Sequence, residues 1–287
     1  MEPTPPNQED CCNSGCNPCI LDVYEDQLKK YKKNQLSAPL NINYISLTTY
    51  ASFKLIKVIQ HTQNTFFYTF QALKVDGVRL IYKPGQHFLL KGSHDNKYFT
   101  KAYTPIPLRE DDPLSFTILV KLYETGRMST YLKNIKLNSE TLWRGPYGHY
   151  DLEFNYRFML FIAQGTGIAP LYAVICRMLE NESCETFLKL FLCCRLGDLV
   201  LRNQLYSMTS FWNFTYEIFL PCAEFVRSNY NETINLFPLQ LASLRAYFDK
   251  FQVSDVRVLV CGSDAFTNDT IKNLIKCGVQ SAQIFQF

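Results

Sequence analysis

The chain has 287 residues, of which 47% are apolar, 15% aromatic and 19% charged. That length suggests two domains, and that balance suits sizeable, strand-rich cores rather than disorder. A net charge of only +3 with no basic–aromatic stripe excludes a nucleic-acid binder, and no apolar run reaches the ~18–20 residues of a membrane helix.

Residues 1–10 are polar and Pro-rich, a composition that predicts disorder. The start has no signal, transit or myristoylation pattern, so a soluble intracellular protein is expected, cytoplasmic in the first place, with mitochondrial or peripheral membrane association as alternatives. Eleven cysteines, an odd number, fit reduced thiols or a metal better than a disulfide framework. Four of them, Cys11, Cys12, Cys16 and Cys19, fall within one loop where Gly15 and Pro18 supply turns. Four thiolates at that spacing suit zinc or an iron–sulfur centre; a reduced, reactive loop is the alternative. Ile20, Leu21, Val23, Tyr24, Leu28 and Tyr31 then mark a short amphipathic helix, with lysines at its C-terminal end that suit its dipole. Residues 34–40 read as a linker.

From 41 to 145 strand follows strand. The candidates are 52–61, 66–73, 87–91, 98–103, 114–122 and 141–144, divided by turn signals at Asp76-Gly77, Pro84-Gly85, Asp112-Pro113 and Thr125-Gly126. Only 128–133 has a helical pattern. Short strands at this spacing predict an antiparallel barrel. From 150 strands and helices alternate: strands at 158–163, 187–194, 214–220, 256–261 and 283–287, with helices up to 180 and near 202–208, 239–248 and 266–276. Such alternation predicts a mainly parallel, doubly wound sheet. The expected domains are thus a Cys-rich segment and linker over 1–39, a barrel over 40–149 and an α/β domain over 150–287.

The stretch from Met159 to Pro170 joins a buried strand to a helix through Gly165, Thr166 and Gly167. Such a turn sets bare N–H groups at the positive end of a helix dipole, where a phosphate can sit, and Pro170 suits the first helical turn. An ordinary strand–helix connection is the competing reading.

The order of the local motifs is more specific than any one of them. Lys101-Ala-Tyr103-Thr104-Pro105 ends a barrel strand, and Gly126-Arg127-Met128-Ser129 opens the barrel's helix. Arg144-Gly-Pro-Tyr-Gly148 closes the barrel. Gly165-Thr-Gly167 and then Cys261-Gly262 follow strands of the second domain. From about 52 to 287 this series resembles the ferredoxin–NADP reductase superfamily, and within it the NADH-cytochrome b5 reductases and their shorter reductase-like relatives. The resemblance implies a two-domain fold, with an antiparallel barrel for FAD before an α/β domain for NADH. It implies a hydride passed from NADH to flavin N5, then single electrons to a haem protein such as cytochrome b5, by a chain expected to be monomeric.

Tyr103 and Thr104 would lie against the flavin ring, next to Pro105, with Lys101 paired to its phosphates; Tyr103 as a plain core aromatic is the alternative. Gly126, Arg127, Met128 and Ser129 would hold the FAD pyrophosphate, although Ser129 also suits a simple helix cap. Gly165, Thr166, Gly167, Pro170, Cys261 and Gly262 would bind the nicotinamide nucleotide. Thr104 and Cys261 would sit at the hydride-transfer pocket, Cys261 shaping it rather than acting as a nucleophile. Arg195, Asp198 and Arg202, after the second α/β strand, bear on the choice of nucleotide, and the resemblance favours NADH over NADPH. Lysine replaces the family's arginine at 101, Gln164 a glycine, Ala169 a threonine and Ser263 a proline. These departures motivate an alternative reading, a flavin-binding scaffold with impaired turnover; a reductase for another one-electron acceptor is a second. Residues 1–39 resemble the N-terminal module of oxidoreductase-like proteins.

Overall fold

A computed structural model describes residues 5–6, 24–29, 42–73, 78–94, 97–108, 112–221 and 225–287. The four clustered cysteines, most of the Pro-rich start and the 34–40 linker lie outside these residues. The chain divides into two units, Met1–Asn43 with Lys74–Arg79, and Tyr44–Leu73 with Leu80–Phe287. In the first unit a helix, α1, covers 24–29, the described part of the amphipathic pattern, and Glu25 and Lys29 face each other across one turn at 3.9 Å. Strand β1 (Ile42–Asn43) pairs in parallel with β4 (Val78–Arg79).

The second unit begins with a seven-stranded antiparallel sheet. It contains β2 (Ala51–Gln60), β3 (Thr65–Ala72), β5 (His87–His94), β6 (Lys97–Tyr103), β7 (Pro105–Ile106), β8 (Ser115–Lys121) and β9 (Glu140–Tyr147) in the order β6-β5-β9-β2-β3-β8-β7. The two outermost strands, β6 and β7, are separated in the chain by Thr104 alone, so the sheet must curl until its edges meet. Curling gives the sheet an inside, and aromatics fill it. Phe53, Phe70, Phe88, Phe116 and Trp143 are fully or almost fully buried, with Phe70 and Phe116 edge-on to Trp143 at 4.8 and 4.9 Å. The Trp143 indole cannot be buried without a partner for its N–H. It donates to Thr141 Oγ1 at 2.8 Å, and that hydroxyl donates to the Phe53 carbonyl at 2.9 Å. Helix α2 (Arg127–Asn134) closes one end by burying Met128 and Leu132.

The second half is a six-stranded parallel sheet in the order β13-β12-β11-β10-β14-β15. Its strands are β10 (Phe158–Gln164), β11 (Phe187–Cys193), β12 (Phe214–Phe219), β13 (Thr233–Asn235), β14 (Val256–Cys261) and β15 (Ile284–Gln286). Four helices complete it: α3 (Ile168–Leu179), α4 (Arg202–Met208), α5 (Leu241–Phe248) and α6 (Asp264–Lys276). The apolar runs read as strands are buried on both faces, as parallel strands under helices must be. Along β10, Met159, Phe161 and Ala163 pack with α3, and Leu160 and Ile162 pack on the opposite side with residues of α5 and α6. The fold class inferred from sequence is the one observed. Four short pieces, β1, β4, β7 and β13, carry too few residues to leave a periodicity.

The strand order reverses between β10 and β14: the chain runs outward from β10 through β13, then returns to β10's other side. In an open parallel sheet the loops leave the strand tips on opposite faces at such a reversal and open a crevice there. Gly165–Gly167 follow β10 and Gly262 follows β14, so the two motifs singled out in this half flank that crevice. Among the described residues no helix is long and apolar enough to cross a membrane.

Candidate functional site

A cavity of about 1040 Å³ opens at this reversal and reaches the edge of the curled sheet. Single ligand sites usually measure roughly 300–1,000 Å³, so it has room for two ring systems. From the antiparallel side come Lys101, Tyr103 and Thr104, at the end of β6 and the joint to β7. The Tyr103 ring is buried and meets Trp143 edge-on at 6.3 Å. Burial, with smaller contributions from Tyr68 and Tyr123, pushes its hydroxyl well above the ordinary tyrosine range, so it stays a neutral O–H. The Lys101 ammonium sits 5.8 Å from the Tyr103 ring and 5.8 Å from the Tyr123 ring, a positive charge over an aromatic shelf.

From the parallel side, Gly165, Thr166 and Gly167 form one turn of 3-10 helix that runs into α3, where Pro170 is buried in the first turn. The two glycines serve different needs. Gly165 has φ +53 with nothing within 4 Å of where a Cβ would sit, so its demand is conformational. Gly167 has an ordinary helical φ, but a Cβ there would lie 2.8 Å from the Cys261 carbonyl, so its demand is spatial. Burial pushes the Cys261 thiol up to about 11; it is a neutral wall, not a nucleophile.

Gln164 and Ser263 join the two strand tips. The Gln164 Oε1 accepts the Ser263 backbone N–H at 3.1 Å and the Ser263 hydroxyl at 2.7 Å. Ser263 is also the N-cap of α6, its Oγ accepting the Phe266 N–H at 3.4 Å. Gly262 lets the glutamine pass, because a Cβ at 262 would lie 2.8 Å from the Gln164 Cβ.

The remaining wall is aromatic and holds polar atoms without partners. Tyr150, Phe285 and Phe287 form a triad with centroids 4.8 to 5.3 Å apart. The Tyr150 hydroxyl and the Thr65 hydroxyl are buried at the cavity with no hydrogen-bond partner among the described residues. Orphaned buried hydroxyls cost stability unless something meets them. Flat aromatic walls, orphaned hydroxyls, the lysines Lys101 and Lys121 and close-packed glycine turns fit a flavin and a nicotinamide dinucleotide.

Three family descriptions match the chain, two of them over the halves that meet at this cavity. Residues 52–152 match the oxidoreductase FAD-binding domain, residues 161–272 the oxidoreductase NAD-binding domain, and residues 1–39 the N-terminal region of oxidoreductase-like proteins. A human protein named NADH-cytochrome b5 reductase-like is 30% identical over 306 residues, covering 100% of this chain and 95% of its own. The chain belongs to the NADH-cytochrome b5 reductase-like family. The mouse protein of the same name is 28% identical over 311 residues, again covering 100% of this chain and 95% of its own. The cytochrome b5 reductase domain of Ulva prolifera nitrate reductase has the same fold, with a TM-score of 0.72 at 19% identity over 85% of this chain and 100% of that one. A ferredoxin NADP+ reductase from Neisseria gonorrhoeae shares it too, with a TM-score of 0.65 at 15% identity over 84% and 98%. The chain is thus an FAD- and NAD-binding oxidoreductase of the cytochrome b5 reductase type.

In this reductase-like chain the residues read from the sequence fall into two groups. Lys101, Tyr103, Thr104, Gly165, Thr166, Gly167, Pro170, Cys261 and Gly262 share the cavity. Pro105, Gly126, Arg127, Met128 and Ser129 are not among its lining residues. Pro105 is buried in β7 opposite Ile118. Gly126 caps α2 with φ +143, and helical bonding starts with the Thr130 N–H on the Gly126 carbonyl at 2.9 Å. The N–H groups of 127–129 therefore precede the first helical bond at the end where an anion is favoured. The Ser129 hydroxyl is not the helix cap: it is buried and accepts the Tyr123 N–H at 3.1 Å. Arg127 extends over the Phe99 ring at 5.4 Å.

Arg195 and Asp198 reach the cavity, but Arg202 does not. Its guanidinium grips Glu232 at 2.8 and 2.5 Å. Burial raises that carboxyl, but hydrogen bonds from Arg202, the Asn229 N–H and the Tyr216 hydroxyl outweigh it and hold Glu232 below the usual carboxylate range. Arg202 thus anchors the loop before β13. Sequence reading missed Thr65, Lys121, Tyr123, Tyr150 and Phe285, which no local motif marks because they come from separate strands and loops that only the fold brings together.

Proposed function

We propose that this chain binds FAD, oxidises NADH and delivers single electrons to a haem protein such as cytochrome b5. The observation that carries the reading is the meeting, in one cavity, of the β6 end (Lys101 to Thr104) with the glycine turns after β10 and β14. Bound FAD supplies the chemistry, accepting a two-electron hydride and releasing electrons one at a time.

The chain's own residues do the positioning. The Tyr103 ring forms a flat neutral wall for the flavin, and the Thr104 hydroxyl offers a hydrogen bond at its edge. Lys101 and the first-turn N–H groups of α2 receive the anionic part of FAD. Gly165 to Gly167 and Gly262 let the nicotinamide nucleotide approach backbone, and Cys261 bounds the space with an uncharged thiol. Tyr150, Phe285 and Phe287 keep water from the ring systems. The choice of NADH over NADPH rests on the family resemblance, because at the cavity Asp198 is ion-paired with Lys121 and Arg195 lies on the same wall. The domain limits that go with this reading are 40–149 for FAD and 150–287 for NADH.

The test is spectroscopic. The purified full chain should be yellow, should bleach under anaerobic NADH, and should regain its colour when oxidised cytochrome b5 is added as the haem appears reduced. A yellow protein that neither NADH nor NADPH bleaches would instead be a flavin-binding scaffold. A chain that cannot be loaded with FAD would remove both readings.

A further inference from the structure

Gln164 does something that neither the fold nor the cofactor reading requires. It is exposed at the cavity wall between the two glycine turns, and its side chain is not free to choose its orientation. The Ser263 backbone N–H, 3.1 Å away, can only donate, so the atom facing it must be the amide oxygen. The Ser263 hydroxyl donates to the same oxygen at 2.7 Å while accepting the Phe266 N–H, which commits its proton to Gln164. With the oxygen held twice, the amide nitrogen is turned away from Ser263. It has no protein acceptor among the described residues.

We propose that Gln164 donates this N–H to the carbonyl oxygen of the nicotinamide carboxamide, and that Ser263 is the positioning residue that orients it. The proposal rests on the cavity being the nicotinamide site. The side chain that ties the two strand tips together is then also the one that reads the ligand. A fixed amide loses less freedom on binding than a mobile one, so the hydrogen bond keeps more of its worth. Ser263 supplies what no proline could, because both of its donors hold Gln164.

Three variants separate the donor from the strap. Gln164→Glu keeps an acceptor for both Ser263 donors but has no N–H to give. Gln164→Met has neither. Ser263→Pro leaves the glutamine intact but unheld. The readouts are the affinities of the FAD-loaded full chain for NAD+ and for its thionicotinamide analogue, whose sulfur accepts hydrogen bonds weakly, and the melting temperature without nucleotide.

The natural chain should prefer NAD+ to the thio analogue by about fivefold, the worth of one ordinary hydrogen bond. Gln164→Glu and Gln164→Met should both bring that preference to about one; a charge at 164 acts on both ligands alike and cancels in the ratio. Only Gln164→Met and Ser263→Pro should lower the melting temperature, by roughly 2–4 °C. Ser263→Pro should also reduce the preference, because an unheld amide points the right way part of the time. An unchanged preference in Gln164→Glu, or equal binding of both ligands by the natural chain, overturns the proposal while leaving the cofactor reading intact. Failure of the natural chain to bind FAD or NAD+ at all overturns both.

Discussion

Lys121, the last residue of β8, is ion-paired with Asp198, just past β11, at 2.5 Å. One residue ends a strand of the antiparallel sheet and the other lies in the 3-10 turn that follows a strand of the parallel sheet, and both line the cavity. Their side chains are only 24% and 16% exposed, so the pair is better shielded than most surface bridges. A contribution of about 1 kcal/mol is expected, at the upper end for exposed pairs. In a double-mutant cycle with Lys121→Met and Asp198→Asn, the two single losses of urea stability should not add, with a coupling of about 0.5–1 kcal/mol that shrinks at molar salt. Additive losses would mean the two halves of the cleft are joined by packing alone.

A second link joins the same halves. His61, after β2, accepts the Leu201 N–H on its Nε2 at 2.8 Å, and its ring leans on Phe67 at 4.6 Å. Leu201 caps α4 with φ +59, a conformation that a non-glycine residue adopts at a cost. Burial lowers the His61 pKa from its usual value, and protonation would remove the acceptor. The folded state therefore favours neutral His61. Its contribution is fully present above the unfolded value of about 6.5 and is lost as pH falls through the lower folded value. The melting temperature should drop more between pH 7.5 and 5.5 in the natural chain than in His61→Gln, which accepts without titrating. Parallel pH profiles would remove the link from consideration.

How much of this was legible beforehand depended on whether a feature is local in the chain. The parallel strands were legible because burial on both faces writes continuous apolar runs, and the glycine turns because backbone demands select glycine. Residue 104 was marked by its neighbours, but its place at the closure of the sheet depends on strand order. Ser129 was misleading as a candidate cap: a serine near a helix start suits capping, yet the fold brings the Tyr123 N–H to its hydroxyl. Gln164 and Ser263 were visible only as two separate departures from a family pattern. Ninety-nine residues separate them, and their hydrogen bonds exist only because β10 and β14 are neighbours.

The glycine turn gives a sharper prediction, because its two glycines should fail differently. Gly165→Ala meets no protein atom but must hold a positive φ, at a cost of about 1–2 kcal/mol, and should leave the turn in place, so that NAD+ affinity falls less than in Gly167→Ala. Gly167→Ala has an easy backbone but meets the Cys261 carbonyl at 2.8 Å. It must push the turn from β14, costing about 1–3 kcal/mol and weakening NAD+ binding at least tenfold. Calorimetric titration of both variants with NAD+ separates the cases. Equal affinities in the two variants would show that the contact between the turn and β14 does not shape the site.

The Cys261 thiol offers a test of the cleft wall that needs no cofactor chemistry. With a pKa pushed up to about 11 by burial, about one molecule in a thousand carries the thiolate at pH 8. Alkylation by iodoacetamide, followed at this site by peptide mapping, should therefore be slow and should rise about tenfold per pH unit from 7 to 10 without levelling off. The same residue in the urea-unfolded chain should level off near pH 8.5, the range of a free thiol. A plateau at that pH in the folded chain would mean that Cys261 meets water and ionises normally, and the wall beside Gly167 would then have to be redrawn as a reactive, solvent-facing edge.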